Sequence, residues 1–211
     1  MCPEYNLNLL YQDGFCHFPS AVSQSMLTDL DRATDKLIAE WKKASFNDAR
    51  FWRCKGRDDS DVLYRIHEVE TLLPQVPLLF DESAVQQVCK AVFGERWAPH
   101  VFALIYKEPF RGVEVPWHRD PVDAEPGTIF NFSFFLDPSA LGNGGLEFVP
   151  GSHIDQTIGL VDGQPPSQRV TVPVHPGDVV IHDVRVLHGS GPNTSQQRRR
   201  SIVAEVRKAQ G

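Results

Sequence analysis

Two histidines and one aspartate in the C-terminal half of the chain have the types and spacing of a metal site. His118 and Asp120 stand two positions apart, and in extended backbone the side chains at i and i+2 point to the same face. An imidazole nitrogen and a carboxylate oxygen can therefore bind one ion. His188 is the candidate third ligand, because it precedes Gly189-Ser190-Gly191, whose glycines let the chain turn.

Two histidines and one carboxylate on one face of an octahedral metal form the ligand set of non-haem iron(II) oxygenases. The three open positions suit 2-oxoglutarate, which chelates through its C1 carboxylate and keto oxygen, together with O2. The far C5 carboxylate then needs a fixed cation. Arg199 follows His188 by 11 residues on the next expected strand, and a guanidinium can bind a carboxylate through two hydrogen bonds. Ser190 could add a hydroxyl hydrogen bond to the same group.

Some neighbouring residues compete for these roles. His182 has the same strand parity as His188, but it lacks the Gly-Ser-Gly context and is interpreted as a strand histidine. His153 is interpreted as a residue that organises a turn through hydrogen bonds. Arg198 and Arg200 flank Arg199 with opposite parity, so we expect them to point outward if Arg199 points inward.

The pocket around the metal site has five further candidate residues. Thr128 and Ser133 are candidates for holding 2-oxoglutarate, and Tyr106, Trp117 and Asn131 are candidates for contacting the substrate. For each of them, packing in the core is an equally good interpretation.

Three basic residues of the N-terminal half could meet an acidic substrate. They are Arg53, Lys55 and Arg65, which we expect near the outer opening of the pocket. A solvated face is the preferred interpretation for all three.

The elements that must position these residues change in character near Trp97. Before it, apolar spacing predicts helices over residues 23–43, with Ser23 or Ser25 near the start, and over residues 83–93, closed by Gly94, with strands at 14–21 and 61–69. After it, short apolar runs alternate with turn signals such as Asn143-Gly144-Gly145. The strands predicted there are 100–107, the Trp117 region, 128–136, 145–149, 169–174, 178–182 and 201–206.

Many short strands at this spacing predict a mainly β fold, a sandwich or jelly roll. We expect a single domain over residues 1–211, in which a helix-rich part, 1–95, buttresses one outer face of a β-rich core, 96–211.

Four motifs occur in one order along the chain, followed by an arginine. They are Trp117-His118-Arg119-Asp120, Gly144 to His153, Pro176-Gly177-Asp178 and His188 to Asn193, with Arg199 after them. In this order they resemble the phytanoyl-CoA dioxygenase family of Fe(II)- and 2-oxoglutarate-dependent oxygenases. The resemblance extends more weakly to Asp13-Gly14-Phe15 and the helix after it, and so covers nearly the whole chain.

The resemblance implies a double-stranded β-helix, which is a jelly roll, with His118, Asp120 and His188 as iron ligands and Arg199 with Ser190 at 2-oxoglutarate. It implies a dioxygenase that hydroxylates, or otherwise oxidises by hydrogen abstraction, a small molecule and releases succinate and CO2. Family members that halogenate have a small residue in place of the carboxylate, so Asp120 favours hydroxylation. Desaturation, epimerisation and cyclisation stay open.

A different class of function also stays open, namely a cupin-like protein that binds metal or ligand without turnover. Arg199 argues against it, because a metal store needs no carboxylate clamp. The segment between Asp120 and Thr128 is brief and leaves little material for a lid. A substrate with a long CoA group is therefore not assumed.

Bulk composition limits the partners and the location. The formal net charge of −6 argues against a nucleic-acid partner, because binding a phosphate backbone needs a basic surface. The sequence has no apolar run of about 18 residues, and its first residues lack the order of a signal peptide, so we expect a cytoplasmic protein without a membrane partner. The 4 cysteines form no CxxC pair, and a monomer or homodimer is expected.

Overall fold

The computed structural model describes residues 4–43 and 46–209. Its helices are α1 (Glu4–Asp13), α2 (Gln24–Trp41) and α3 (Ser83–Phe93). Its strands are β1 (Phe15–Phe18), β2 (Phe51–Lys55), β3 (Asp61–His67), β4 (Trp97–Lys107), β5 (Val115–His118), β6 (Ile129–Phe135), β7 (Leu146–Phe148), β8 (Val170–Thr171), β9 (Val179–Asp183), β10 (His188–Ser190) and β11 (Arg199–Lys208).

Two antiparallel sheets form the body of the protein. The larger sheet has the strand order β1-β9-β6-β11-β4-β3-β2, and the smaller sheet has the order β5-β10-β7-β8. Phe148 of the smaller sheet packs against His182 of the larger one, with ring centres 5.3 Å apart. This arrangement confirms the predicted jelly roll. The strands β1, β2 and β3 come from the helix-rich part of the chain and extend the larger sheet at its edges.

The two faces of the larger sheet differ because successive strand residues point to opposite sides. On β6, Phe130, Phe132 and Phe134 are buried in the main apolar core with residues of the helices. The intervening Asn131 and Ser133 face the smaller sheet. The helices therefore cover one face of the larger sheet, as predicted, and leave the other face for a polar cavity.

The helix α2 is fixed at both its start and its middle. Ser23 is its N-cap and accepts a hydrogen bond from the backbone N–H of Met26 at 3.4 Å. Arg200 of β11 lies fully buried beneath the helix and donates to Thr34 at 2.8 Å and to Asp137 at 2.8 Å. The prediction that Arg200 points outward needs correction, because it faces away from Arg199 but into a helix-covered core.

The sequence gives weak signals for α1, β2 and β10, which were not predicted as elements. Gly14 directly follows the last residue of α1, and its φ of +88° favours glycine. A Cβ at this position would also lie 2.6 Å from the His153 ring. His153 is buried, and its Nε2 is 3.2 Å from the Tyr11 carbonyl oxygen, so this histidine joins a turn to α1, in line with its structural interpretation.

Within residues 4–43 and 46–209, no helix combines the length and the apolar character that crossing a membrane requires.

Candidate metal centre

His118, Asp120 and His188 come together where two strands of the smaller sheet meet. His118 is the last residue of β5, and it pairs directly with His188, the first residue of β10. Asp120 is held just beyond β5 by a backbone hydrogen bond of 2.9 Å from its N–H to the Val184 carbonyl. One ligand atom from each of the three side chains lies within 4.8 Å of the other two. This group could hold a metal ion.

Both histidines are oriented by backbone carbonyls. His118 Nδ1 lies 2.8 Å from the Pro116 oxygen, and His188 Nδ1 lies 3.0 Å from the Val186 oxygen. A proton on each Nδ1 donates to its carbonyl and leaves the electron pair of Nε2 free. Metal-binding histidines are commonly oriented in this way.

The charges of the group also suit a metal. Burial lowers the pKa of His188 to about 3, so its imidazole is neutral at physiological pH. Burial raises the pKa of Asp120, but the neighbouring His118 and His182 side chains lower it by more, so the pKa lies below its usual range. The site therefore offers an ionised carboxylate and a neutral imidazole, which are the forms that bind cations. The neighbouring Asp120 carboxylate raises the pKa of His118.

Asn131 and His182 support the aspartate from the larger sheet. The Asn131 side-chain amide donates to Asp120 Oδ2 at 2.7 Å. His182 Nε2 lies 3.8 Å from the same oxygen, and its ring centre is 4.5 Å from that of His188. Asp120 Oδ1, which is 3.6 Å from His118 Nε2, is left to face the other ligands.

A cavity of about 310 Å³ opens beside the three ligands. Its wall on the smaller sheet includes Leu146, Gly189 and Ser190. The residues of the larger sheet that line it are Tyr64, Arg65, Val101, Ile105, Asn131, Ser133, His182, Arg199, Ser201, Val203 and Glu205. The volume lies at the small end of the range of about 300–1,000 Å³ for small-molecule sites.

Arg199 brings a cation into this cavity. It is 1% exposed, its Nε donates to Ser139 Oγ at 3.4 Å, and its guanidinium carbon lies 5.2 Å from the centre of the Phe135 ring. Its two terminal nitrogens have no hydrogen-bond partner among residues 4–43 and 46–209. Burial lowers the pKa of Arg199 to about 10, which still leaves it charged at neutral pH. Ser190 and Ser133, both buried, line the same cavity.

Three of the predicted site residues lie outside the cavity. Thr128 is exposed before β6, and its hydroxyl donates to the Glu125 carbonyl at 2.7 Å. Tyr106 pairs with Arg200, so it shares the core face of the larger sheet. Trp117 has opposite parity to His118 and lines a separate cavity of about 290 Å³. These positions correct the predicted contacts of Thr128 with 2-oxoglutarate and of Tyr106 and Trp117 with substrate.

Two cavity residues were given other interpretations from the sequence. His182 is a strand histidine, as interpreted, but its ring lies against the metal group. The sequence signal for this position was that His182 and His188 have the same strand parity and can therefore point to the same side. Arg65, for which a solvated face was preferred, lines the cavity from β3 opposite Ile105. The place of Arg65 in the cavity could not be predicted from its distance along the chain to the motifs, because that place depends on the pairing of β3 with β4.

The comparison with sequence families agrees with the site. The family described as Phytanoyl-CoA dioxygenase (PhyH) matches residues 10–201. The chain therefore belongs to the phytanoyl-CoA dioxygenase family.

Solved structures share the fold. AviO1 from Streptomyces viridochromogenes Tue57 superposes with a TM-score of 0.84 and 34% sequence identity, over 98% of this chain and 95% of that chain. EvdMO1 superposes with a TM-score of 0.84 and 36% identity, over 98% of this chain and 50% of that chain. EctD from S. alaskensis, crystallised with 2-oxoglutarate and 5-hydroxyectoine, has a TM-score of 0.78 at 21% identity, over 99% of this chain and 76% of that chain, and is similar in fold.

Curated relatives are longer than this chain. A probable alpha-ketoglutarate-dependent hypophosphite dioxygenase from Stutzerimonas stutzeri is 27% identical in an alignment of length 186 that covers 76% of this chain and 62% of that protein. Dioxygenase andF from Emericella variicolor is 28% identical in an alignment of length 131 that covers 56% of this chain and 44% of that protein. The chain thus spans less than two thirds of either relative.

Proposed function

We propose that this protein is an Fe(II)- and 2-oxoglutarate-dependent dioxygenase that oxidises a small molecule with O2 and releases succinate and CO2. His118, Asp120 and His188 would hold the iron, and Arg199 would bind the far carboxylate of 2-oxoglutarate. The observation that carries the proposal is the buried Arg199 guanidinium, with free donors, in the same cavity as a preformed metal-ligand group.

The residues present fit an Fe(II) ion. Two imidazole nitrogens and one carboxylate oxygen are the donors of the facial ligand set, and the cavity borders the ligands where further positions would be open. The hydrogen bonds to Pro116, Val186 and Asn131 hold each ligand in orientation before the metal arrives. Such supporting hydrogen bonds raise metal affinity.

The residues also fit 2-oxoglutarate. A carboxylate at Arg199 would accept parallel hydrogen bonds from the guanidinium, and this would supply the partner that the buried cation lacks. Ser190 and Ser133 offer hydroxyl groups in the same cavity. The Arg199 guanidinium carbon lies over the Phe135 ring, and this contact restrains the side chain before a carboxylate binds.

When bound, iron and 2-oxoglutarate would together supply oxidative decarboxylation and the removal of a hydrogen atom from the substrate. The protein's own residues prepare this chemistry. His188 presents a neutral nitrogen, Asn131 keeps the Asp120 carboxylate aimed at the ligand group, and Ile105, Leu146 and Val203 limit water around the reacting groups.

The remaining proposals concern organisation and partners. Residues 1–211 would act as one domain, a proposal supported by the pairing of β3 with β4 across the boundary between the two predicted parts. The cavity volume supports a small-molecule substrate. The cytoplasmic location, and the choice between monomer and homodimer, stay predictions.

The proposal is tested by succinate formation from 2-oxoglutarate in the presence of Fe(II), ascorbate and O2. We expect slow uncoupled turnover in the wild type, loss of turnover in His188→Ala, and a KM for 2-oxoglutarate raised by about tenfold or more in Arg199→Gln, as for the loss of a charged hydrogen-bonded contact. Arg198→Gln is the matched control, since this neighbour points to the other face. Metal binding without any succinate formation, across a broad substrate panel, would instead indicate a cupin-like binding protein.

A further inference from the structure

A second arginine in the cavity lacks a partner. Arg65 lies on β3, pairs with Ile105 of β4, and lines the cavity that contains His118 and Asp120. Its Nε is buried and has no hydrogen-bond partner. The guanidinium forms no hydrogen bond or ion pair with any residue in 4–43 or 46–209. A cation this close to a metal centre is therefore without a counter-ion in the described structure.

Stacking, rather than a carboxylate, holds this side chain in place. Arg65 pairs with Trp52 of β2, and its guanidinium carbon lies 5.9 Å from the centre of a Trp52 ring. A cation above an aromatic ring is attracted to the π face. This contact needs none of the N–H donors of the guanidinium, and none of them has a hydrogen-bond partner in the described residues, so an anion can still bind them.

The charges lining the cavity indicate what Arg65 would bind. Besides Arg65, the described charged side chains there are Asp120, Arg199 and Glu205, and Glu205 is paired with Arg207. Fe(II) and Arg199 would be balanced by Asp120 and the two carboxylates of 2-oxoglutarate. Arg65 would then remain the uncompensated charge. A partly buried cation without a partner is costly, and an anion that enters the cavity would offset that cost.

We propose that Arg65 is a substrate-binding residue that recognises an anionic group, a carboxylate or a phosphate, on the small molecule to be oxidised. This inference rests on the proposed function and deepens it. Burial lowers the pKa of Arg65, while Tyr64 and Asp120 raise it. An anion held there would lie beside the metal centre, and the uncharged part of the substrate could extend toward the metal ligands.

The test is a binding experiment on protein loaded with Zn(II) and 2-oxoglutarate, in which zinc, lacking redox chemistry, prevents turnover. Butyrate and methyl phosphate are titrated by calorimetry and ligand-observed NMR, with butyramide as the uncharged isostere of butyrate. We expect at least one anion to bind the wild type about tenfold more tightly than butyramide, as one charged hydrogen-bonded contact would give. The anion that binds more tightly identifies the recognised group.

Arg65→Gln should abolish the preference for an anion while leaving 2-oxoglutarate affinity unchanged, and Arg65→Lys should keep part of it. The matched control is Arg53→Gln, an exposed arginine of β2 outside the cavity. Melting temperatures check that each variant is folded. An anion preference that survives in Arg65→Gln, or its absence from the wild type, would overturn the proposal. A loss of 2-oxoglutarate affinity in Arg65→Gln would also overturn it, since Arg65 would then serve the co-substrate. Failure of wild type to bind 2-oxoglutarate at all would overturn the proposed function itself.

Discussion

His118 and His188 are directly opposed residues of two paired antiparallel strands, and their ring centres lie 4.3 Å apart. The pairing of β5 with β10 therefore sets the distance between two of the three candidate ligands. The register shifts immediately after this pair, between His188 and Ser190. A register shift of one residue would turn a strand side chain to the opposite face of the sheet. The three ligands can therefore come together only in this register.

Replacing Asn131 by alanine should weaken metal binding. The change removes the 2.7 Å hydrogen bond to Asp120 Oδ2 and frees the carboxylate to rotate. Loss of such a supporting contact lowers metal affinity by about 10–100-fold. Calorimetric titration of Fe(II) under anaerobic conditions measures it. Ser133→Ala, on the same face of β6, should leave metal affinity unchanged, and an equal affinity in Asn131→Ala would show that Asp120 does not need this support.

Two of the three hydroxyl residues considered for 2-oxoglutarate, Ser133 and Thr128, should differ in their effect on its binding. Ser133 lines the cavity, whereas the Thr128 hydroxyl is bonded to a local carbonyl outside it. We expect Ser133→Ala to weaken 2-oxoglutarate binding by about fivefold, the size of one neutral hydrogen bond, and Thr128→Ala to have no effect. Dissociation constants of the metal-loaded variants decide this. The reverse order of effects would restore the sequence-based assignment of Thr128.

Asp178 should make the stability of the protein depend on pH. Burial raises the pKa of Asp178. Hydrogen bonds lower it by more, and they come from the backbone N–H groups of His175 and Ser20 and from the His17 side chain. The pKa of Asp178 therefore lies below its usual value. A carboxyl group with a depressed folded pKa stabilises the fold above its unfolded pKa, near about 4, and loses this contribution as pH falls through the folded pKa.

The matched variant is Asp178→Asn. At pH 7 it should be less stable than wild type by about 2–3 kcal/mol, as for hydrogen bonds to a buried charged group. The difference should shrink as pH falls below about 4, because the wild-type carboxyl group is then protonated. Urea unfolding at several pH values measures both curves. A difference that is independent of pH would contradict the assignment.

Arg200 and Arg198 should differ strongly in their contribution to stability. Arg200 is fully buried and donates to Asp137 through Nε at 2.8 Å and through Nη2 at 2.8 Å, whereas Arg198 is 35% exposed. Arg200→Gln would remove both guanidinium hydrogen bonds to Asp137 and leave this buried carboxylate only the Arg198 ion pair and a backbone N–H, at a cost of about 3–5 kcal/mol. Arg198→Gln should cost less than about 1 kcal/mol. Equal urea midpoints for the two variants would show that the buried pair does not anchor the helix.

Local pattern was sufficient to predict the metal-ligand group. The i, i+2 spacing of His118 and Asp120, and the glycines after His188, are properties of short segments. The same holds for α2 and α3, whose ends were predicted from Ser23 and Gly94. Arg199 was also located from its spacing, 11 residues after His188 on the next expected strand.

Strand pairing decided the features that the sequence did not predict. Tyr106 faces the core because it pairs with Arg200, and Arg65 reaches the cavity because β3 pairs with β4. A bulge also shifts the pairing between Ala204 and Glu205, near Val101, which has a positive φ of 43°. Beyond such a bulge, the alternation of inward and outward side chains on one strand is displaced by one residue relative to its neighbour. These relationships join distant segments and cannot be derived from alternation within one strand.

The most direct test of the central claim is anaerobic titration of Fe(II) and then 2-oxoglutarate into the metal-free protein, followed by visible absorption. The proposed site predicts a weak metal-to-ligand charge-transfer band in wild type and in Arg198→Gln, and the same band at a much higher 2-oxoglutarate concentration in Arg199→Gln. If Fe(II) binds but no band forms at any 2-oxoglutarate concentration, the cavity does not chelate this co-substrate at the metal, and the dioxygenase account is contradicted.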